Sequence, residues 1–165
     1  AEVSRLIEKS PAGKPASKKL SQVMASLLDY GHVAQQSLGR HWGKQSPEEQ
    51  ARFTGLLRQL VERSYRKRLR STLNYQVTYR DTDLKGDTVF LHTSVRSRKN
   101  RRQPPIEIGY GLRRSGDSWR VVDVVTDGVS MVRNYRGQFS RIIRKEGWSG
   151  LIGRMEKRVK DEGDL

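Results

Sequence analysis

The chain has 165 residues, enough for one domain with its own core and too few for two ordinary ones. It carries 33 Lys and Arg against 18 Asp and Glu, a net charge of +15, which suits phosphate-bearing partners, whether nucleic acid or anionic lipid. The absence of cysteine excludes disulfides, thiolate catalysis and Cys-based zinc sites, and no run of about 18 apolar residues exists to span a membrane as a helix.

Residues 1–19 are polar and interrupted by Pro11, Gly13 and Pro15, which predicts a short amphipathic start and a flexible turn. Leu20, Val23, Met24, Leu27 and Leu28 fall on one face of a helix over residues 19–30, ended or bent by Gly31 before a second short turn through Leu38. Gly39 and Gly43 mark a loop carrying Trp42. Ser46-Pro47-Glu48-Glu49 reads as a helix start: Ser46 caps, Pro47 suits the first position and Glu49 completes a capping box. This helix should run to about Arg70. Its apolar stripe is Phe53, Leu56, Leu57, Leu60, Val61 and Tyr65, with arginines and Lys67 on the other faces.

From Thr72 the period becomes two, with Leu73, Tyr75, Val77 and Tyr79 alternating against polar residues, as in a half-buried strand. A turn around Gly86 leads to an antiparallel partner with Val89, Leu91, Thr93 and Val95. Residues 96–105 form a basic loop ending in Pro104-Pro105, and a third strand follows with Ile106, Ile108, Tyr110 and Leu112 on one face. Gly109 and Gly111 occupy its other face, where they either bend the sheet or make room for something lying against it. A turn at residues 114–117 returns the chain to Trp119, Val121, Val122, Val124 and Val125, a run apolar on both faces that suits a central strand. After Asp127-Gly128 the spacing becomes helical through Tyr135, Phe139, Ile142 and Ile143. Gly147 breaks that helix, and Trp148, Leu151, Ile152, Met155 and Val159 make a last one before a charged tail at residues 160–165. Helices, a four-strand antiparallel meander and closing helices describe a single α+β domain with its helices gathered on one face of a curved sheet.

The candidates for acid–base chemistry are Asp123, Asp127 and His92, but Asp123 fits better as a brace for the turn and Asp127 as the partner of Gly128 in it. His32, His41 and His92 lack metal-ligand spacing. Ser130 has no G-x-S-x-G context and reads as a helix cap. A nucleic-acid-binding domain would account for the charge, yet the basic loop has no interleaved aromatic for stacking on bases. Neither an enzyme nor a nucleic-acid partner is therefore expected.

W-R-V-V-D-V at residues 119–124, D-G-V-S at 127–130 and N-Y-R-G-Q-F at 134–139 together resemble the signature of MlaC-type periplasmic phospholipid-binding proteins, the toluene-tolerance auxiliary family. The block L-G-R-H-W-G-K-Q-S-P-E-E-Q-A-R-F at 38–53, followed by L-L-R-Q-L-V-E-R-S-Y, is similar to that family's central helices, so the likeness covers roughly residues 20–155. It implies a nuclear-transport-factor-like cone: a curved antiparallel sheet of about four strands, helices on its concave side and added N-terminal helices. It also implies a soluble periplasmic lipid shuttle between an outer-membrane lipoprotein–porin complex and an inner-membrane ABC transporter containing an MCE ring. The lipid is cargo, and no cofactor is expected. A chain opening on Ala1 without an apolar signal region fits a secreted precursor whose signal peptide has been removed, or simply a sequence trimmed at its start; the resemblance favours the first.

A carrier needs a dry apolar pocket, because moving an acyl chain of ~16 carbons into water at about 0.8 kcal/mol per methylene costs on the order of 13 kcal/mol. The expected lining comes from the sheet and the first closing helix: Val77, Tyr79, Val89, Leu91, Ile108, Tyr110, Val122, Val124, Val129, Met131, Tyr135, Phe139 and Ile143. A hopanoid or another apolar ligand is the alternative cargo. Arg98 and Arg101 in the basic loop, with Arg133, Arg136 and Arg144 on the closing helix, are the candidates for contact with headgroups, a membrane surface or an acidic partner.

Overall fold

The structure, a computed structural model, describes residues 27–72, 75–100 and 102–161, with side chains 65–72 outside the description. The polar start, most of the helix expected over 19–30, Leu73, Arg101, the Tyr65 side chain and the end of the charged tail therefore lie outside the described residues.

Helix α1 (Tyr30–Leu38) leads through a 3₁₀ turn (Gly39–Lys44) into α2 (Pro47–Thr72). Five antiparallel strands follow in a meander: β1 (Tyr75–Lys85), β2 (Thr88–Ser97), β3 (Ile106–Ser115), β4 (Ser118–Thr126) and the two-residue β5 (Val129–Ser130). Helix α3 (Met131–Asp161) closes the chain and is broken at Gly147, whose φ of 73° lies in the left-handed region that glycine tolerates. The α+β class and the curved sheet agree with the sequence reading, with five strands in place of about four.

Three local expectations need correction. Residues 19–30 are not one helix, because Leu28 leaves helical geometry to bridge Val121 and the Asp29 amide donates to the Val121 carbonyl at 3.0 Å. Asp29 then starts α1 afresh, its carboxylate accepting from the His32 amide at 2.9 Å, so Gly31 sits inside the new helix's first turn. At α2, Ser46 Oγ caps as expected by accepting from the Glu49 amide at 3.3 Å, but the Glu49 carboxylate accepts from Trp148 Nε1 at 2.5 Å, a long-range tie in place of the capping box. Nor is β4 central: it lies next to the end of the sheet, its outer edge taken by residues 28–29 and by β5.

The core is helical. Val33, Ala34 and Leu38 of α1, Phe53, Leu57 and Val61 of α2, and Phe139, Leu151, Ile152 and Met155 of α3 are almost fully buried. Phe53 meets Phe139 edge-on at 5.4 Å and lies 5.9 Å from Trp148, while Tyr135 stacks on Phe139 at 5.4 Å. At roughly 1.5–3 kcal/mol per large side chain, this cluster is the main source of stability. The break at Gly147 folds the last helical segment back on α2, where Arg52 pairs with Glu156 at 2.6 Å and Arg63 donates to the Val159 carbonyl.

Candidate functional site

Pairing between strands sorts the sheet's side chains onto two sides, since directly opposed residues point the same way. Val77, Tyr79, Val89, Leu91, Ile108, Tyr110 and Val124 share one side, and Val129 joins them across the β4–β5 pair. A one-residue bulge between Tyr79 and Thr82 keeps β1 in phase, so Leu84 falls on this side too, as do Ile106 and Trp119. The helices meet the sheet mainly at β4 and β5. Much of the apolar side is consequently uncovered: Tyr79 is 72 % exposed, Leu84 70 %, Trp119 52 % and Val77 49 %. Thr93, the polar residue at its centre, is buried at no cost because its hydroxyl donates to the Ile108 carbonyl at 3.0 Å. Burial also pushes the Tyr110 phenol above its ordinary pKa.

The other side carries Gly109 and Gly111 with Phe90, His92, Asp123 and Val125. A methyl at Gly111 would lie 3.3 Å from the Phe90 ring, and one at Gly109 would lie 3.4 Å from the His92 imidazole; the glycines are there because these rings fold over them. With Val132 and Arg133 from the start of α3, this side forms a cavity of about 420 Å³, half open to solvent and within the range of small-ligand pockets.

The start of α3 is fixed by Asp123. Its carboxylate accepts from Ser130 Oγ at 2.5 Å and from the amides of Val124 at 2.9 Å and Val132 at 3.1 Å, while Ser130 Oγ caps the helix by accepting from the Arg133 amide at 3.1 Å. Asp127, with φ 47°, accepts from the Glu107 amide at 3.1 Å and donates its own amide to the Glu107 carbonyl at 2.9 Å. His92 Nε2 lies 3.0 Å from Asp83 Oδ1, and this contact holds the Asp83 carboxyl below its ordinary range. All three acid–base candidates thus serve the turn or the sheet. Among the described residues no group of three His, Cys, Asp or Glu could hold a metal ion.

The structure brings together eight of the expected lining residues on the apolar side and separates the other five. Val122 is buried at the β4 bulge opposite Gly111 and Leu112, at 4 % exposure. Phe139 lies inside the helical core, and Met131, Tyr135 and Ile143 pack against it. Of the arginines, Arg133 lines the cavity; Arg136 is engaged with the Gln36 carbonyl at 2.7 Å and ties α3 to α1; Arg98 and Arg144 are exposed. The cavity on the glycine side takes only Ile108 and Arg133 from the expected site. Its signal is the pair Gly109 and Gly111 set opposite His92 and Phe90.

The model of a family described as MlaC protein matches residues 3–157. The intermembrane phospholipid transport system binding protein MlaC of Haemophilus influenzae is 26% identical over 140 residues, 82% of this chain, and the chain spans 65% of that protein's length. Among solved structures, a phospholipid-binding protein from Ralstonia solanacearum in complex with a phospholipid has the same fold. The TM-score is 0.82 at 24% identity, covering 98% of this chain and 93% of that one.

Proposed function

The chain belongs to the MlaC protein family, and from that premise we propose that it is a periplasmic phospholipid carrier that performs no chemistry on its cargo. The observation that carries this reading is the uncovered apolar side of the sheet, in a fold shared with a protein solved holding a phospholipid. Acyl chains lie against Val77, Leu91, Ile108, Tyr110 and Val124, which replace water along the chain, while the phosphate stays outside. The carrier exchanges lipid with an outer-membrane lipoprotein–porin complex and an inner-membrane MCE-containing ABC transporter. The exposed cations Arg98, Lys99 and Arg102 make transient contacts with anionic membrane surfaces.

Solvent extraction of gently purified protein, followed by mass spectrometry, should recover glycerophospholipid near one molecule per chain. Recovery of a hopanoid would change the cargo, and clean nucleic acid without lipid would defeat the reading. A second reading places an acyl chain in the cavity of about 420 Å³ on the glycine side. Adjacent residues separate the two, since Val124 faces the apolar side and Val125 lines the cavity. Val124→Asp should stay folded and lose lipid while Val125→Asp keeps it; the reverse pattern selects the cavity.

A further inference from the structure

On the glycine side, away from the cavity, β1 and β2 form a second concavity of about 280 Å³ lined by Gln76, Thr78, Arg80, Ser94 and Arg96. The register explains it: Gln76 stands opposite Arg96 and Thr78 opposite Ser94, with Arg80 two residues further along β1. Ser94 is 7 % exposed and forms the floor. Every lining side chain offers a hydrogen-bond donor, and none is an acid. Among the described residues Gln76, Thr78, Ser94 and Arg96 make no side-chain hydrogen bond or ion pair, and Arg80 reaches only Glu107, at 3.4 Å. Glu107 pairs with Ser94 in the β2–β3 ladder, so its carboxylate borders the groove without filling it.

We propose that this groove is a phosphate-binding site distinct from the apolar side of the sheet, to which the proposed function assigns the lipid. The two arginines stand four strand positions apart, roughly 13 Å at about 3.3 Å per residue, with the Thr78–Ser94 pair midway. A phosphate seated on those hydroxyls receives a guanidinium from each end, the planar fork that suits its oxygens. The local field favours it: residues 88–106 contain five Lys or Arg and no Asp or Glu. The ligand is a phosphate group, carried either by a lipid headgroup as a phosphodiester or by free inorganic phosphate.

Backbone amide NMR of the full chain tests this at about 0.15 M salt, where diffuse attraction is screened beyond ~8 Å. Titration with inorganic phosphate should give saturable shifts confined to residues 76–80 and 94–96. A water-soluble short-chain phospholipid, kept below its micelle concentration, should shift the same amides if the phosphodiester is accepted, whereas a response to inorganic phosphate alone assigns the site to the free ion. Arg96→Gln should weaken binding at least tenfold, about 1.4 kcal/mol, and Glu107→Gln, which removes the competing carboxylate, should strengthen it severalfold. Arg98→Gln in the neighbouring loop should change it less than twofold. Non-saturating shifts spread over the basic loop, equal effects of Arg96→Gln and Arg98→Gln, or no response to either probe would each overturn the proposal. None of these results depends on whether the apolar side carries lipid.

Discussion

Replacing Asp123 with alanine should loosen the start of α3 without touching the sheet's apolar side. The substitution removes the acceptor for Ser130 Oγ and strands the Val132 amide, which belongs to a residue only 7 % exposed. A hydrogen bond to a charged group contributes about 1.5–3 kcal/mol, and an unsatisfied buried donor costs about 1–3 kcal/mol. These overlap in one network and do not add, so the expected loss is about 3 kcal/mol. For a domain of this size each kcal/mol shifts Tm by about 2–4 °C, which predicts a fall of ~6–12 °C. Asp123→Asn keeps one carbonyl acceptor but loses the charge at a helix N-terminus, and should cost about 1–2 kcal/mol. Ser130→Ala, a cap deletion, should cost about 1 kcal/mol. Thermal and urea unfolding followed by circular dichroism measure all three, with the double variant closing a cycle in which the two losses should fall short of additivity. If Asp123→Ala unfolds within about 0.5 kcal/mol of the parent, Asp123 does not anchor the helix and the assignment fails.

Gly111→Val places a side chain 3.3–3.4 Å from Phe90, Asp123 and Thr88 and should cost about 1–3 kcal/mol, read as a lower urea midpoint at unchanged slope. His32 packs beneath Arg113, whose guanidinium lies 2.9 Å from Nδ1; burial first, then Arg113, depress its pKa, with Asp29 and Asp87 partly opposing. The unfolded chain then binds more protons between the depressed pKa and about 6.5. Stability should be full above that value and fall as pH drops through the window, whereas His32→Gln should flatten the dependence to what His41, also depressed by burial, contributes. Combined Arg98→Glu, Lys99→Glu and Arg102→Glu, all at exposed positions, should leave Tm within about 1 °C and slow association with anionic vesicles. Added salt should bring the parent down toward the variant.

Alternation made the apolar side legible: once Val77, Leu91, Ile108 and Val124 are paired across the strands, period two alone puts them together. The same pattern could not say which elements face one another. Phe139 and Tyr135 look like pocket wall from their helical spacing, yet Phe139 meets Phe53 of α2 and Tyr135 stacks on Phe139, contacts set by how α3 packs on α2 and not by any local period. Asp29 was hidden for a related reason, since the apolar spacing of residues 20–28 reads straight through it, and only the bridge from Leu28 to Val121 ends that run. Ser130 and Asp123 were readable because capping and turn chemistry are local. The cavity was hinted at only by the pair Gly109 and Gly111, and the groove not at all, because exposed polar residues carry no periodic signal and both concavities exist only after strands pair.

The helical core also sets the order in which the molecule can assemble. Every strand pairs with its neighbour in sequence, so the meander closes through short loops whose entropic cost is small. Phe53 with Phe139, Glu49 with Trp148 and Arg52 with Glu156 join segments separated by 86 to 104 residues, bracketing the whole sheet. As the chain emerges from its N-terminal side, α1 and α2 can form and the hairpins can zip, but the core they share stays incomplete until Phe139 and then residues 148–159 arrive. A pause before that point leaves Phe53, Leu57 and Val61 exposed beside an already apolar sheet. Aggregation during synthesis is therefore governed by these late core-forming residues and not by the apolar side of the sheet.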